Sequence, residues 1–115
     1  CVHPGALCIF DITTETNSLL YFRNYQAKER HAGYTYTRKS RYERDERLQI
    51  NEFEIRPNGS SQTIHERHQQ RIYDVNTVLK SVDETSWQIL DIFDDFTFEP
   101  ADNSSERVHI ILRAV

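Results

Sequence analysis

The chain has 115 residues, enough for one small domain, and a formal net charge of −4 at pH 7. Only 37% of the residues are hydrophobic, yet six Phe, six Tyr and one Trp are too many aromatic residues for a disordered chain. No apolar run approaches the ~20 residues that span a bilayer, and the acidic balance argues against nucleic-acid binding. Two cysteines cannot form a disulfide framework, so we expect a reducing, cytoplasmic setting.

The first predicted element is a strand over residues 6–12, a short continuous apolar run. Such runs are typical of strands covered on both faces inside an α/β sheet. Cys8 lies in this run, roughly 20 Å from Cys1 if the segment is extended, which is too far for a disulfide. The chain starts at Cys1 rather than Met, with nothing before the run to cover it. We therefore expect a fragment of a longer protein.

The middle of the chain is predicted to be rich in antiparallel strands. Residues 13–31 read as a short helix followed by a loop, since Leu19, Phe22 and Tyr25 recur every three residues. Residues 34–37, 41–56 and 61–73 favour strands. This gives three or four antiparallel strands, with the sharpest hairpin at Asn58-Gly59.

The clearest helical signal follows Asp74, a good N-cap residue. Val75, Val78, Leu79 and Val82 fall at i, i+3, i+4 and i+7, which places them on one face of a helix. Strands are predicted over residues 87–93 and 108–112. The order is a βαβ-like frame interrupted by an antiparallel insert.

The predicted strand over residues 61–73 presents a polar face. His65 and His68 are three apart on a strand and point to opposite sides, so we expect no metal site there. One face carries Arg67, Gln69, Arg71 and Tyr73 and has no aliphatic residue. Two interpretations stay open, a solvated sheet face and the wall of a polar pocket.

Two charged segments have ordinary interpretations. Residues 38–47 mix both signs of charge, which favours a solvated two-stranded ribbon over a nucleic-acid surface. Asp94 and Asp95 lie near Glu99 at a strand end, but adjacent carboxylates on a strand point apart, so they do not predict a shared-proton pair. A turn cap, an arginine partner and a catalytic base all stay open as roles for these carboxylates.

The sequence has no P-loop, no Gly-x-Ser-x-Gly and no Gly-rich strand-to-helix turn.

The run Asp-Asp-Phe-Thr-Phe-Glu-Pro at 94–100, with Ser-Glu-Arg-Val-His at 105–109, resembles the C-terminal end of bacterial class I S-adenosylmethionine-dependent methyltransferases. The resemblance is to the group with a small antiparallel sheet inserted in the catalytic domain. Other segments match in order. Residues 3–12 are similar to the fifth core strand and its Pro-Gly turn, 68–73 to the end of the insert, 75–82 to the last helix, and 87–93 and 108–112 to strands six and seven.

The resemblance implies an α+β fragment of an α/β Rossmann-like methyltransferase, made of the antiparallel insert, the last helix and the final β-hairpin. Residues 1–31 are then the fifth core strand with its helix and loop, 32–73 the acceptor-binding insert, and 74–115 the last helix and strands six and seven. One departure is Asp83 to Ser86, where the family has an Ala-Gly-Phe-like step. The family's cofactor motifs lie before the equivalent of Cys1. S-adenosylmethionine is thus expected in the full-length protein and not in this chain alone, which is expected to be inactive.

The implied reaction moves the sulfonium methyl group to a nucleophile on a small-molecule acceptor, mainly by positioning and by excluding water. The resemblance makes Arg67, Gln69, Arg71 and Tyr73 part of the acceptor site, and arginines suit an acidic or phosphorylated acceptor. It assigns no catalytic residue. Exposed apolar faces on residues 6–12 and the last helix predict self-association or a homodimer.

Two alternatives of another class stay open: a freestanding, non-catalytic β-rich ligand-binding module, and a dimerisation domain. A Gly-rich strand-to-helix turn encoded upstream would favour the enzyme. A native start close to Cys1 would favour the binding module.

Overall fold

The computed structural model describes residues 1–115, which form two compact units. Unit 1 comprises Cys1–Asn17 and Tyr73–Val115, and unit 2 comprises Ser18–Ile72. In chain order the elements are β1 (Leu7–Thr13), α1 (Glu15–Tyr21), β2 (Asn24–Arg30), β3 (Tyr34–Glu43), β4 (Leu48–Pro57), β5 (Ile64–Arg71), α2 (Val75–Asp83), β6 (Trp87–Asp94) and β7 (Arg107–Ala114). Neither helix has the length and apolar character that crossing a membrane requires.

Unit 1 is built on a three-stranded antiparallel sheet with the order β1-β7-β6. The central strand β7 alternates strictly, and its inward side chains Val108, Ile110 and Leu112 are buried. With Val82 of α2 they form the apolar core of the unit. Each fully buried side chain of this kind contributes about 1.5–3 kcal/mol. Apolar burial therefore holds unit 1 together.

The helix predicted after Asp74 is confirmed. Val75, Val78 and Leu79 pack against the buried cluster, as the i, i+3, i+4 pattern predicts. The Asp74 side chain accepts a hydrogen bond from the Asn76 backbone N–H at 2.9 Å, which caps the helix.

The first predicted strand is also confirmed, as β1, but within this chain it is covered on one face only. Cys8, Phe10 and Ile12 pack against the core, while Leu7 and Ile9 are 62% and 63% exposed. β1 lies at the edge of its sheet, so one row of its backbone N–H and C=O groups has no strand partner. Cys1 and Cys8 are free thiols.

Unit 2 is a four-stranded antiparallel meander with the order β2-β3-β4-β5. The loop predicted before residue 31 is wrong, because residues 24–30 form β2 and pair with β3. Six of the seven β2 residues are exposed, so the segment has no apolar alternation to mark it as a strand.

The position of the sharpest hairpin was also predicted wrongly. The shortest connection joins β2 to β3 through residues 31–33, where the His31 N–H donates to the Tyr34 carbonyl at 2.8 Å. Residues 44–47 join β3 to β4, with Arg47 at a φ of 53°. The connection through Asn58-Gly59 is longer and spans residues 58–63, with Gly59 at φ 74°. Asn-Gly is a strong composition signal for a tight hairpin, whereas Ala32-Gly33 is not, so composition favours the longer connection.

The strand register divides unit 2's side chains between two faces. We call one the charged face: its residues include the rows Lys28, Thr37, Glu54, His65 and Gln26, Lys39, Glu52, Arg67. We call the other the Arg38 face: its residues include the rows Ala27, Arg38, Phe53, Glu66 and Tyr25, Ser40, Asn51, His68.

Candidate functional site

The predicted acceptor residues of β5 lie on the charged face. Arg67 Nε is 3.5 Å from Glu52 Oε1, and the Gln69 amide oxygen, oriented to satisfy both groups, is 3.1 Å from both terminal nitrogens of Arg67. Arg71 Nη1 donates to the Glu46 carbonyl at 3.1 Å. Tyr73 belongs to unit 1, so the four predicted residues are divided between the two units.

Ion pairs connect the strands across the charged face. Glu52 lies between Arg67 and Arg41, with Arg41 Nη1 3.6 Å from Glu52 Oε2, and Arg41 Nε is 3.0 Å from Glu43 Oε1. These side chains are roughly half exposed, and such pairs contribute about 0–1 kcal/mol each. A shallow depression of about 280 Å³ lies on this sheet; its lining includes Thr37, Lys39, Glu52, Glu54, His65 and Arg67. The arginines of this face are thus largely matched by acids.

The opposite face carries a different arrangement, centred on Arg38 in the middle of β3. Its guanidinium carbon lies 4.7 Å from the centre of the Phe22 ring and 5.6 Å from the centres of the Tyr25 and Phe53 rings. A guanidinium within about 6 Å of an aromatic ring is attracted by the ring's negative face. Three rings therefore surround one half-buried cation.

Hydrogen bonds fix the orientation of that guanidinium. Arg38 Nε donates to Ser40 Oγ at 3.0 Å, and Arg38 Nη2 donates to Asn51 Oδ1 at 3.0 Å. Ser40 Oγ in turn donates to Asn51 Oδ1 at 2.7 Å. The Nε and Nη2 edge of the guanidinium is therefore occupied by internal partners.

The network extends to two further buried side chains. Ser18 Oγ donates to Gln49 Oε1 at 2.8 Å, and Gln49 Nε2 lies 3.4 Å from Asn51 Oδ1. Ser18, Ser40, Gln49 and Asn51 are all buried. Burying a hydroxyl or amide is unfavourable unless it is hydrogen-bonded, and a satisfied network holds its members rigidly. The side chains around Arg38 are thus pre-arranged.

Sequence reasoning missed this site because it took residues 38–47 as one solvated ribbon. The available signal was the period of two within that run. Alternation separates Arg38, Ser40 and Tyr42 from the charged residues between them, Lys39, Arg41 and Glu43. Of the first set, Ser40 and Tyr42 are buried.

A second, larger depression adjoins the Arg38 network. Its volume is about 430 Å³, and it is lined by Asn51, Phe53, Ile55, Glu66, His68, Gln69 and Gln70. The His68 ring meets the Phe53 ring edge-on at 5.4 Å, and His68 Nε2 is 3.1 Å from Glu66 Oε2. Asn51 and Phe53 thus contact Arg38 and also form one wall of this depression.

The acidic cluster at the end of β6 is part of a tight loop. The Asp94 N–H donates to the Glu99 carbonyl and the Asp95 N–H to the Arg107 carbonyl, both at 2.8 Å. Thr97 Oγ1 donates to the Asp94 carbonyl at 2.5 Å. In each of these bonds Asp94 or Asp95 takes part through its backbone N–H or carbonyl and not through its carboxylate.

The Ser-Glu-Arg segment has structural contacts. The Ser105 carbonyl accepts from Thr14 Oγ1 at 2.7 Å, and Arg107 pairs with Asp11 of β1. Nearby, Asp102 Oδ1 accepts from the Ser104 hydroxyl and N–H, and these bonds lower the pKa of Asp102 below its usual value of 3.8.

The residues present do not form a recognisable site for a nucleoside cofactor. The turn from β1 into α1 runs through Thr14, and residues 72–74 join β5 to α2; neither turn contains glycine. The three glycines precede β1 (Gly5), join β2 to β3 (Gly33) and join β4 to β5 (Gly59), so none lies between a strand and a helix. No group of three or more His, Cys, Asp or Glu side chains converges as metal ligands.

No protein-family model and no curated protein matches the chain. Among solved structures, it is similar to an S-adenosylmethionine-dependent methyltransferase from Clostridium acetobutylicum ATCC 824, with 17% identity and a TM-score of 0.78 over 95% of this chain. The CcbJ methyltransferase from Streptomyces caelestis has 13% identity and a TM-score of 0.72 over 99% of this chain. The chain has a methyltransferase-like fold.

The match covers 44% of the first protein and 45% of the second, so this chain spans less than half the length of either. The predicted α+β arrangement of a partial methyltransferase-like fold is confirmed. The likeness concerns the fold, since both identities are low.

Proposed function

We propose that this chain is part of a longer S-adenosylmethionine-dependent methyltransferase from bacteria. The observation that carries the proposal is the fold match over 95% of the chain at a TM-score of 0.78. Unit 1 would supply the last strands of the core sheet, and unit 2 would be the inserted sheet that binds the acceptor. Free cysteines suit the reducing cytoplasm in which we place the protein.

The cofactor would bind to the remainder of the longer protein, because this chain has no glycine-bearing strand-to-helix turn. When bound, it supplies an electrophilic methyl group on a sulfonium. The contribution of this chain is to orient a small-molecule acceptor and exclude water around it, which are the main sources of rate in a displacement of this kind. We assign no catalytic base.

Arg67, Gln69 and Arg71 of unit 2 are proposed acceptor contacts, and the role of Tyr73, which belongs to unit 1, stays a prediction. Arg67 is half exposed, and its ion pair with Glu52 at 3.5 Å is weak enough to be exchanged for an acidic or phosphorylated acceptor. Arg71 and Gln69 lie on the same face, at alternate positions of β5.

The free edge of β1 is a proposed site of self-association for the isolated chain. The exposed side chains of Leu7 and Ile9 lie along that edge strand, and an apolar edge strand readily pairs with another copy of itself. A homodimer formed through two β1 strands would pair the free backbone edge of each strand with that of the other copy.

Methyl transfer by the full-length product of the gene tests the proposal. The protein would be incubated with S-adenosylmethionine carrying a tritiated methyl group and a small-molecule extract of its host. We expect label in the small-molecule fraction, and a higher acceptor KM for Arg71→Ala. Arg44→Ala, in the exposed β3–β4 turn, is the matched control with unchanged KM. Absence of transfer to any acceptor would argue for a non-catalytic ligand-binding module.

A further inference from the structure

The Arg38 guanidinium has no counter-charge in this chain. It forms no ion pair, and its polar contacts are the neutral side chains of Ser40 and Asn51. The nearest acid in its row, Glu66, lies beyond Phe53 and pairs with His68 at 3.1 Å. A half-buried charge without a partner is unfavourable, so this position favours an added anion.

The geometry also leaves donors for that anion. A guanidinium has two edges that can each donate two parallel hydrogen bonds. Ser40 and Asn51 occupy the edge formed by Nε and Nη2, and no group in the chain accepts from Nη1. The edge formed by Nη1 and the second Nη2 hydrogen is therefore free. Its two parallel N–H bonds match the two oxygens of a carboxylate.

The surroundings favour an anion with an apolar body. Phe22, Tyr25 and Phe53 surround the guanidinium, and Phe53 continues into the depression of about 430 Å³ beside it. A planar apolar group fits against aromatic side chains of this kind. A strongly hydrated inorganic anion would gain nothing from them.

We infer that the Arg38 face is a binding site for a small carboxylate with an apolar or aromatic body, held by the free edge of the Arg38 guanidinium. Ser40 and Asn51 are positioning residues that orient Arg38 and do not touch the ligand through their occupied atoms. The site lies on the face opposite the proposed acceptor contacts Arg67 and Arg71, so the inference concerns a second ligand and does not rest on the proposed function.

Titration of the chain with benzoate tests the inference, with amide chemical shifts followed by NMR. We expect the largest shifts at Arg38, Ser40, Asn51 and Phe53. Benzamide, the neutral isostere, should bind at least about tenfold more weakly, since it cannot accept two charge-assisted bonds. Inorganic phosphate should likewise bind weakly. Equal affinity for benzoate and benzamide would overturn the inference, as would phosphate binding as tightly as benzoate.

Two variants separate the role of Arg38 from a general effect of charge. Arg38→Gln should lose benzoate binding by about tenfold or more, whereas Arg41→Gln, on the charged face of the same strand, should leave it unchanged. Arg38→Lys keeps the charge but loses the paired N–H bonds, so its affinity for benzoate should lie between those of Arg38→Gln and the wild type. If Arg38→Gln does not fold, Arg38→Lys and the map of chemical-shift changes in the wild type still test whether benzoate binds at Arg38. Shifts centred on Arg67 and Arg71 would place the anion on the charged face and contradict the inference.

The outcomes distinguish this inference from the proposed function. Benzoate binding that depends on Arg38, without methyl transfer by the full-length protein, would support the carboxylate site and contradict the proposed methyltransferase function. Methyl transfer by the full-length protein, with no benzoate binding by the chain, would do the reverse.

Discussion

The two units bury apolar and polar side chains in different proportions. Unit 1 buries Val82, Val108, Ile110 and Leu112 in one apolar cluster, with Thr14 and Ser105 as its buried polar side chains. Unit 2 buries the hydroxyls and amides of Ser18, Ser40, Gln49 and Asn51, with Tyr42, Ile50 and Ile72 as its buried apolar side chains. Apolar burial is non-directional and roughly proportional to area, whereas a polar network fixes particular atoms in space. We conclude that unit 1 is organised for stability and unit 2 for geometry.

A truncation in the apolar cluster of unit 1 should have the strongest effect on stability. Ile110 is fully buried, so Ile110→Ala should lower the free energy of unfolding by about 2–5 kcal/mol. Urea denaturation followed by circular dichroism measures it. Leu90→Ala removes a side chain of β6 that is 42% exposed and should cost less, about 1 kcal/mol or under. Similar losses from both would show that unit 1 does not depend on this cluster.

A substitution in the polar network should lower stability less, by removing a hydrogen-bond acceptor rather than by opening a cavity. Asn51→Leu leaves the donors of Arg38, Ser40 and Gln49 without their common acceptor, which should lower stability by about 1–3 kcal/mol. Ser40→Ala combined with Asn51→Leu should lose less than the sum of the single variants, because the two side chains share one network. Strict additivity in urea denaturation would contradict that coupling.

The elements with a strong apolar pattern could be predicted from the sequence. The i, i+3, i+4 pattern from Val75 marks α2, and the continuous run of residues 6–12 marks β1. β2 was missed because nearly all its side chains are exposed, so pairing with β3 defines it rather than its own pattern. The same limit hid Arg38: which face of a polar strand is buried depends on what packs there, and local sequence does not encode that.

The edge of β1 gives a prediction of intermediate size. Ile9→Lys should weaken self-association of the isolated chain by about tenfold in Kd, because it places a charge on the exposed apolar face. Sedimentation over a concentration series measures it. Ser81→Lys, on the exposed side of α2, is the matched control. A strictly monomeric wild-type chain at high concentration would refute the proposed dimer.

The smallest effect concerns acid stability at Asp102. Hydrogen bonds from Ser104 lower its pKa in the folded chain, so the stabilising contribution is present above its unfolded value of 3.8 and is lost as pH falls through the lowered folded pKa. Asp102→Asn and Ser104→Ala should each lower Tm slightly at neutral pH, and the difference from wild type should vanish at the acid end. A difference that persists at low pH would contradict this account.

The most direct test of the methyltransferase assignment is calorimetric titration of S-adenosylmethionine and S-adenosylhomocysteine into this chain and into the full-length product of its gene. We predict binding by the full-length protein and none by this chain, because we propose that the cofactor site lies outside this chain. Binding by neither would contradict the assignment.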